Sequence, residues 1–259
     1  MPGVITPTRR EVIEFCRADP IERVFLEDMV RRGLGRISGV RDGRRLAALA
    51  HVGVNVLPAG RGCAAFAPLI ELERSRMILG DERAVTELWE GARRRLPPPR
   101  DDRPGQPLFV LDEPPEPGGT GLRPATLADL ELLLPSCAAA HAEELGSDPL
   151  VQDPDGFRWR TRALIEDGRS WLWREDGSIL FKAEASAWTP SAVHLQQVWV
   201  DPEQRANGYA QLGLRDLFRL LLERTRAVCL FVRPENEVAI HVYERVGMRR
   251  HGTYRSVLL

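Results

Sequence analysis

The chain has 259 residues, enough for two modest domains or one large one. Hydrophobic residues make up 43% and charged residues 28%, which is the balance of an ordinary globular protein, and a net charge of -1 provides no basic field to attract nucleic acid or an anionic membrane. Arginine supplies nearly all of the positive charge, since Lys182 is the only lysine, and this bias together with many Ala, Gly and Pro residues is typical of a GC-rich bacterial genome.

The cysteines and the apolar segments limit the kind of protein further. The four cysteines are far apart and form no Cys/His cluster, so we expect neither a metal site nor a disulfide framework. Residues 1–10 lack the apolar core of a signal peptide, and the longest apolar stretch, residues 46–57, is too short to span a bilayer. We therefore expect a cytoplasmic protein with no membrane partner.

The first part of the chain has the pattern of an α/β segment. Asp19 followed by Pro20 predicts the start of a helix that runs to about Arg32, because Pro is favoured at the first helical position. Asp42-Gly43, between the apolar runs 37–41 and 46–57, predicts a hairpin. The remaining expected elements are a helix over residues 81–95 and a strand over residues 108–111.

A band rich in Pro, Gly and charge extends from about residue 97 to residue 121, as linkers and surface crossings do. Residues 106–111 within it have strand character, so the boundary is placed after them. The predicted domains are residues 1–117 and residues 118–259.

The second part predicts the element order βααβββαβαβ. Thr126 is a plausible N-cap for its first helix, and Asp176-Gly177 indicates a hairpin between two of its strands. The predicted strands cover residues 121–123, 170–174, 179–188, 193–200, 228–232 and 248–259. The predicted helices cover residues 126–140, 157–167, 210–225 and 238–246. The first part follows a similar order, which suggests an internal structural repeat.

A strand that runs into a tight turn and a helix is the first segment with chemical content, at residues 198–210 (VWVDPEQRANGYA). Main-chain N–H groups at a helix start have no intrahelical partner and lie at the positive end of the helix dipole, so they suit a diphosphate. Gly208 lets the backbone approach a phosphate, Ala210 leaves that approach open, and Arg205 can add a charged contact. Taken alone, the same segment also fits an ordinary strand-to-helix turn.

The second such segment is the helix near the C-terminus, limited by Asn236 as N-cap and Gly247 after its end. Asn236 and Tyr243 are seven residues apart, close to two turns at about 100° per residue, so both lie on one face. A lone tyrosine in a helix is more often a packing residue. Without the other segment, Tyr243 would be interpreted as one.

Together the two segments resemble the GNAT superfamily of acyl-CoA-dependent N-acyltransferases. The turn Arg-x-x-Gly-x-Ala at residues 205–210 is followed by a helix, a strand and the pattern N-x-x-A-x-x-x-Y-x-x-x-G-[FM] at residues 236–248. The resemblance implies an α/β (α+β) GNAT fold over about residues 121–259, with a mixed, mostly antiparallel central sheet flanked by helices. More faintly, the first part resembles a domain of uncharacterised function that precedes some bacterial GNAT domains, and it is expected to be a degenerate GNAT-like half. No Arg-x-x-Gly-x-Gly/Ala turn stands at its corresponding place, taken here as residues 80–83.

The resemblance also implies acetyl-CoA as cosubstrate and gives roles to residues of this chain. Pantetheine would pair with the main chain of Val198, Trp199 and Val200, and Asn236 would contact the CoA arm. Tyr243 matches the position that protonates the departing thiolate. The diphosphate would lie beside Arg205 and on the turn and first helical residues, which are Ala206, Asn207, Gly208, Tyr209, Ala210 and Gln211.

The general base is the least defined part of this prediction. Some family members carry a glutamate on the fifth strand, where this chain has Phe231. The candidate chosen is Glu184 on the preceding strand, with His194 and Gln197 as further possibilities. Glu184 could instead be a solvated cross-strand residue, and His194 a surface residue at a strand start.

The predicted function is transfer of an acetyl group from acetyl-CoA to a primary amine of a small molecule or a protein, by a monomer or homodimer. One alternative is a non-catalytic acyl-CoA-binding sensor or regulatory module, favoured by Phe231 at the base position and opposed by Tyr243. Another is an interaction scaffold without a ligand, for which the motifs would be coincidental.

Overall fold

The computed structural model describes residues 3–71 and 74–259. Its helices in those ranges are α1 (Arg9–Cys16), α2 (Val24–Arg32), α3 (Glu82–Ala92), α4 (Leu130–Leu145), α5 (Pro149–Gln152), α6 (Pro154–Glu166), α7 (Tyr209–Leu222) and α8 (Glu237–Arg245). Its strands are β1 (Arg36–Asp42), β2 (Arg45–Val52), β3 (Asn55–Gly60), β4 (Met77–Asp81), β5 (Asp101–Leu111), β6 (Arg123–Pro124), β7 (Ser170–Glu175), β8 (Ser178–Trp188), β9 (Val193–Val200), β10 (Val228–Phe231) and β11 (Arg249–Leu258).

The chain divides into two units that exchange segments near the C-terminus. The N-terminal unit contains residues 1–110, 231–240 and 250–259, and the C-terminal unit contains residues 111–230 and 241–249. Because the units interleave along the chain, the predicted boundary after residue 117 stays a prediction. None of the helices in the described ranges has the length and apolarity that a bilayer crossing requires.

The N-terminal unit is built on a meander followed by a crossover. β1, β2 and β3 pair antiparallel, β4 pairs parallel with β3, and β11 pairs antiparallel with β4. The hairpin predicted at Asp42-Gly43 is present, with Gly43 in the left-handed conformation (φ 60°) that such turns need. A core of buried apolar residues, among them Phe66, Ile78 and Leu88, joins this sheet to α3.

Two predictions in this unit were wrong. The helix expected from Pro20 begins at Val24. Asp19 does cap a first turn, since its carboxylate accepts the Glu22 N–H at 2.9 Å and its carbonyl accepts the Arg23 N–H at 3.1 Å, but Arg23 leaves helical geometry (φ -108°, ψ 15°) before α2 begins. The apolar stretch 46–57 is two strands, β2 and β3, separated by a short turn rather than one continuous strand. Helix α1 and strand β4 were missed.

The C-terminal unit follows its predicted order closely. β6, β7, β8 and β9 form antiparallel pairs, and β10 lies parallel to β9. The expected turn at Asp176-Gly177 has positive φ at both residues (48° and 82°), as a two-residue hairpin requires. Thr126 forms a capping box with Asp129 at the start of the α4 region.

The two sides of this sheet are covered by different helices. Gly213 of α7 lies against the Phe181 ring of β8, so close that a Cβ there would be 2.6 Å from the ring. On the other side, α4 and α6 form an apolar core with Leu172, Ile179 and Trp199. Asp216 of α7 also accepts the N–H groups of Gly118 and Thr120 at 2.7 Å each, which fastens the preceding linker to the C-terminal unit.

Candidate active site

The candidate site begins where β9 and β10 separate. These parallel strands pair at Val193 with Val228 and at His194 with Cys229. Among the described residues the pairing ends there, although β9 continues to Val200. A strand whose neighbour diverges leaves main-chain donors and acceptors that an extended ligand can use.

A bulge in β9 lies beyond the point of separation. Between its pairs with β8, β9 advances from Gln196 to Trp199 while β8 advances only from Glu184 to Lys182, so β9 has one extra residue. Gln197 within this bulge has φ 50°, in the left-handed region that residues other than glycine seldom occupy. The bulge changes the direction of the main-chain groups along the open part of the strand.

The turn after β9 leads to an uncapped helix start. Ala206 and Gly208 both have left-handed backbones, with φ 66° and 81°. Gly208 is the N-cap of α7 and provides no side-chain cap, so the first N–H groups of the helix lack partners from that source. A Cβ at Gly208 would meet no atom within 4 Å, which means that the space in front of the turn is open.

Arg205 in the same turn is held by the protein itself. Its Nε donates to the Val200 carbonyl at 3.2 Å, and its Nη2 lies 2.7 Å and 2.9 Å from the two carboxylate oxygens of Glu143 on α4. Both side chains are about half exposed. The guanidinium predicted to contact a diphosphate is thus engaged by a carboxylate at the edge of the site.

The three residues predicted to pair with pantetheine have side chains that are buried or half-buried, so mainly their main-chain groups are left for a ligand. The Trp199 and Val200 side chains are buried, Trp199 in the core formed with α4 and α6, and Val198 is half-buried. Asn207, one of the residues predicted on the diphosphate, is exposed, and its side-chain amide donates to the Gln204 carbonyl at 3.2 Å.

Helix α8 carries the other two predicted residues. The Asn236 Oδ1 accepts the Ala239 N–H at 3.1 Å, which confirms the predicted cap and leaves the amide NH2 for other contacts. Tyr243 is 8% exposed, and burial, with a smaller contribution from the Glu144 carboxylate, raises the pKa of its phenol. The hydroxyl carries its proton at neutral pH, and the raised pKa makes it a weaker acid than an exposed phenol.

Glu184, the predicted base, lies in a buried polar cluster. Its Oε1 accepts from Lys182 Nζ at 2.6 Å and from the Cys137 thiol at 3.2 Å. Burial is the largest influence on the pKa of Lys182 and lowers it, but Glu184 and Cys137 together outweigh burial, so the net shift is upwards and the ammonium stays charged. A proton on Glu184 would leave that ammonium without its counter-charge. The assignment of Glu184 as base stays a prediction.

His194, the second possible base, is enclosed beside β8. Its Nδ1 lies 2.7 Å from the Ser186 hydroxyl, and burial lowers the pKa of the imidazole to about 3. Such an imidazole stays neutral across the physiological range and is a weak proton acceptor. Gln197, the third possibility, has a side-chain oxygen that accepts from Lys182 Nζ at 3.3 Å.

The N-terminal unit lacks this arrangement at its own third meander strand, β3. The segment that follows β3 is a 3-10 helix, Cys63–Leu69, and the N–H groups of Gly62 and Cys63 both donate to Glu87 Oε2, at 2.6 Å and 3.0 Å. The element order therefore places the counterpart of the diphosphate turn after β3. The predicted place, residues 80–83, is wrong, because these residues join β4 to α3.

The strands β3 and β4 also stay in contact past their last pair. A Cβ at Gly80 would be 3.0 Å from the Pro58 carbonyl oxygen, so the two backbones remain close at that level. In this unit, therefore, the Glu87 carboxylate occupies the N–H donors of Gly62 and Cys63. No gap opens between the described parts of β3 and β4.

Two family models match different parts of the chain. The family model described as "Acetyltransferase (GNAT) family" matches residues 136–248, and one described as "Domain of unknown function (DUF4081)" matches residues 35–133. No curated protein matches the chain. The resemblance inferred from the two sequence motifs is confirmed.

Solved structures with the same fold span the whole chain. A Drosophila protein has 15% identity and a TM-score of 0.68, covering 100% of this chain and 99% of its own. A GNAT-family acetyltransferase from Colwellia psychrerythraea has 10% identity and a TM-score of 0.60, covering 99% of each chain. A tandem GNAT protein from the clavulanic acid biosynthesis pathway has 13% identity and a TM-score of 0.57, covering 100% of this chain and 98% of its own. The predicted tandem GNAT fold is confirmed.

Proposed function

Residues 136–248 belong to the GNAT family of acetyltransferases, and from that premise we propose that the protein is an N-acetyltransferase that transfers the acetyl group of acetyl-CoA to a primary amine. Family membership supports acyl transfer in general. The choice of acetyl-CoA and of an amine acceptor is the proposal.

The observation that carries the proposal is the open, uncapped start of α7. Two left-handed residues, Ala206 and Gly208, turn successive N–H groups outward ahead of a helix whose N-cap supplies no side-chain acceptor. A diphosphate fits such a place because the N–H groups and the helix dipole together favour a dianionic group. We place the CoA diphosphate there, with Arg205 next to it.

The pantetheine arm is proposed to lie along β9, where that strand has separated from β10. Main-chain groups of Val198 and its neighbours would pair with the amides of the arm as a strand would. The side chain of Asn236, whose oxygen caps α8, has an amide NH2 that suits a contact with the same ligand.

In the reaction, the lone pair of the amine attacks the thioester carbonyl carbon and the carbon–sulfur bond breaks. The departing thiolate takes the proton of Tyr243, which the phenol still carries at neutral pH. The proton lost by the amine nitrogen goes to a base, for which Glu184 is the candidate from sequence. The protein otherwise contributes mainly by holding two reactants together.

A non-catalytic acyl-CoA sensor is the second candidate, and one observation favours it. The Oε1 atom of Glu184, the predicted base, already accepts from Lys182 and Cys137. This module would bind acetyl-CoA in the same place without turning it over.

Release of the CoA thiol separates the two candidates. Purified protein is mixed with acetyl-CoA and a panel of primary amines, and free thiol is followed with a disulfide reagent. The protein's own cysteines are buried, and burial raises the pKa of Cys16, Cys63 and Cys137 to about 12, so they contribute little signal. Amine-dependent release that Tyr243→Phe reduces is the expected result. Tight binding of acetyl-CoA without release from any amine would identify a sensor.

A further inference from the structure

Lys182, the only lysine in the sequence, is completely buried and uses each of its three protons. Its Nζ donates to Glu184 Oε1 at 2.6 Å, to Cys137 Sγ at 3.2 Å and to Gln197 Oε1 at 3.3 Å. The three acceptors come from β8, α4 and β9. An ammonium with three donors is therefore fixed in one position between a helix and two strands.

Stability alone does not explain this cluster. Moving two charges out of water costs about as much as their attraction returns, and apolar side chains of similar volume are often at least as stable. Buried ion pairs are best accounted for where they hold a particular geometry. Besides pairing with Glu184, Lys182 also holds the side chain of Gln197.

Gln197 has a backbone that needs support. Its φ of 50° is disfavoured for any residue with a Cβ, and such conformations persist where the surroundings over-determine them. The hydrogen bond from Lys182 fixes the Gln197 side chain on the α4 side of the sheet. The extra residue of the β9 bulge is thereby held in one conformation.

We propose that Lys182, fixed by Glu184, is a positioning residue that keeps the β9 bulge at Gln197 in its left-handed conformation, so that a main-chain N–H of the bulge is directed at the thioester carbonyl of the bound acyl-CoA. This inference rests on the proposed function. Lys182 itself does not touch the ligand.

The chemical consequence lies at the carbonyl oxygen. That oxygen gains negative charge as the amine nitrogen bonds to the carbon, and a fixed N–H donor stabilises the charge without reorganising. Loss of one such donor lowers kcat by about 10²- to 10³-fold in enzymes of acyl transfer. Loss of the support at Gln197 should therefore slow the chemical step and leave acetyl-CoA affinity nearly unchanged.

Two substitutions of one residue provide the test. Gln197→Ala and Gln197→Gly both remove the acceptor of Lys182, but only glycine adopts a positive φ without support. We expect Gln197→Ala to lower kcat by about 10²-fold with little change in KM for acetyl-CoA, and Gln197→Gly to lower it less, leaving a kcat about tenfold above that of Gln197→Ala. Equal kcat values for the two variants would overturn the proposal.

A charge-neutral double variant tests the support directly. Lys182→Met/Glu184→Gln removes both charges, and adding Gln197→Gly to it should restore most of the lost kcat. Restoration also distinguishes positioning from a base role of Glu184, because glycine at 197 cannot replace a lost base. A triple variant as slow as the double one would overturn the proposal. If the double variant does not fold, the Ala and Gly comparison still decides.

The carbonyl stretch of bound ¹³C-labelled acetyl-CoA gives a readout that needs no turnover. We expect it at lower frequency in the wild type and Gln197→Gly than in Gln197→Ala. A wild-type protein that binds acetyl-CoA and acetylates no amine refutes the catalytic function, and the carbonyl frequency then still decides the positioning role. A wild-type protein that does not bind acetyl-CoA refutes both. Normal transfer with one carbonyl frequency in all variants refutes the positioning role alone.

Discussion

Arg205 and Glu143 join the turn after β9 to the last turn of α4, with the guanidinium Nη2 at 2.7 Å and 2.9 Å from the two carboxylate oxygens. Arg205 is the residue that we propose lies beside the CoA diphosphate. Glu143 would thus compete with the proposed diphosphate for Arg205.

Removing that competitor should favour the ligand. Exposed ion pairs are worth about 0–1 kcal/mol, so Glu143→Ala is expected to tighten acetyl-CoA binding by at most about fivefold. Calorimetric titration at low salt and again at about 0.5 M salt measures the gain, which should shrink as salt screens the charges. The double variant Arg205→Ala/Glu143→Ala should show no gain. Weaker binding by Glu143→Ala would mean that Glu143 supports the site rather than competing for it.

The hydroxyl of Tyr243 is predicted to act only in the chemical step. Tyr243→Phe should lower kcat by about 10²-fold while acetyl-CoA affinity stays near normal, because the ring and its packing remain. Steady-state kinetics with the best amine of the panel measures this. Tyr254→Phe is the matched control, since its hydroxyl donates to the Glu22 carbonyl at 2.6 Å and its loss should reduce stability without changing kcat. An unchanged kcat in Tyr243→Phe would assign that tyrosine to packing.

The Lys182–Glu184 pair makes a prediction about stability. Lys182→Met alone leaves the Glu184 carboxylate buried and unpaired, which should lower the free energy of unfolding by about 3–5 kcal/mol. Lys182→Met/Glu184→Leu removes both charges and should recover most of that loss. Urea denaturation of the three proteins makes the comparison. A double variant no more stable than the single one would show that the pair itself contributes the stability.

His194 predicts how stability depends on pH. Its folded pKa of about 3 lies below the ordinary value of 6.5, so between these values the unfolded chain binds the proton more readily than the folded one. The contribution of neutral His194 to the free energy of unfolding is complete above pH 6.5. It is lost as the pH falls from 6.5 towards 3, at about 1.4 kcal/mol per pH unit at most. The pKa values of His51 and His141 are also lowered by burial, so wild type and His194→Asn are compared by denaturation across that range. If the free energy of unfolding changes with pH in the same way for both proteins, the lowered pKa of His194 is contradicted.

Local signals explain which parts of the fold were predictable. The hairpin at Asp176-Gly177 and the cap at Thr126 are fixed by a few neighbouring residues, and both are present. The cap at Asp19 is also present, but the break at Arg23 that separates its turn from α2 is not revealed by the Asp-Pro pattern. The turn inside the apolar stretch 46–57 carried no Pro or Asp-Gly signal, only Gly53.

Part of the geometry of the candidate site was also predictable. The uncapped start of α7 follows from the turn sequence around Gly208. The cluster at Lys182 was not predictable, because Cys137 and Gln197 are distant along the chain and meet Lys182 only through packing of α4 on the sheet. Glu184 two residues beyond Lys182 on one strand was the single local sign of the ion pair, since alternate strand residues share a face.

Calorimetric titration of acetyl-CoA against the wild type and Gly208→Glu tests the central claim most directly. Gly168→Glu is the matched control, because Gly168 also has a left-handed backbone (φ 66°) with no atom within 4 Å of an added Cβ. The account predicts one acetyl-CoA per chain for the wild type and Gly168→Glu, and affinity weakened beyond detection in Gly208→Glu, where a carboxylate faces the diphosphate. Equal affinity in the wild type and Gly208→Glu would contradict it.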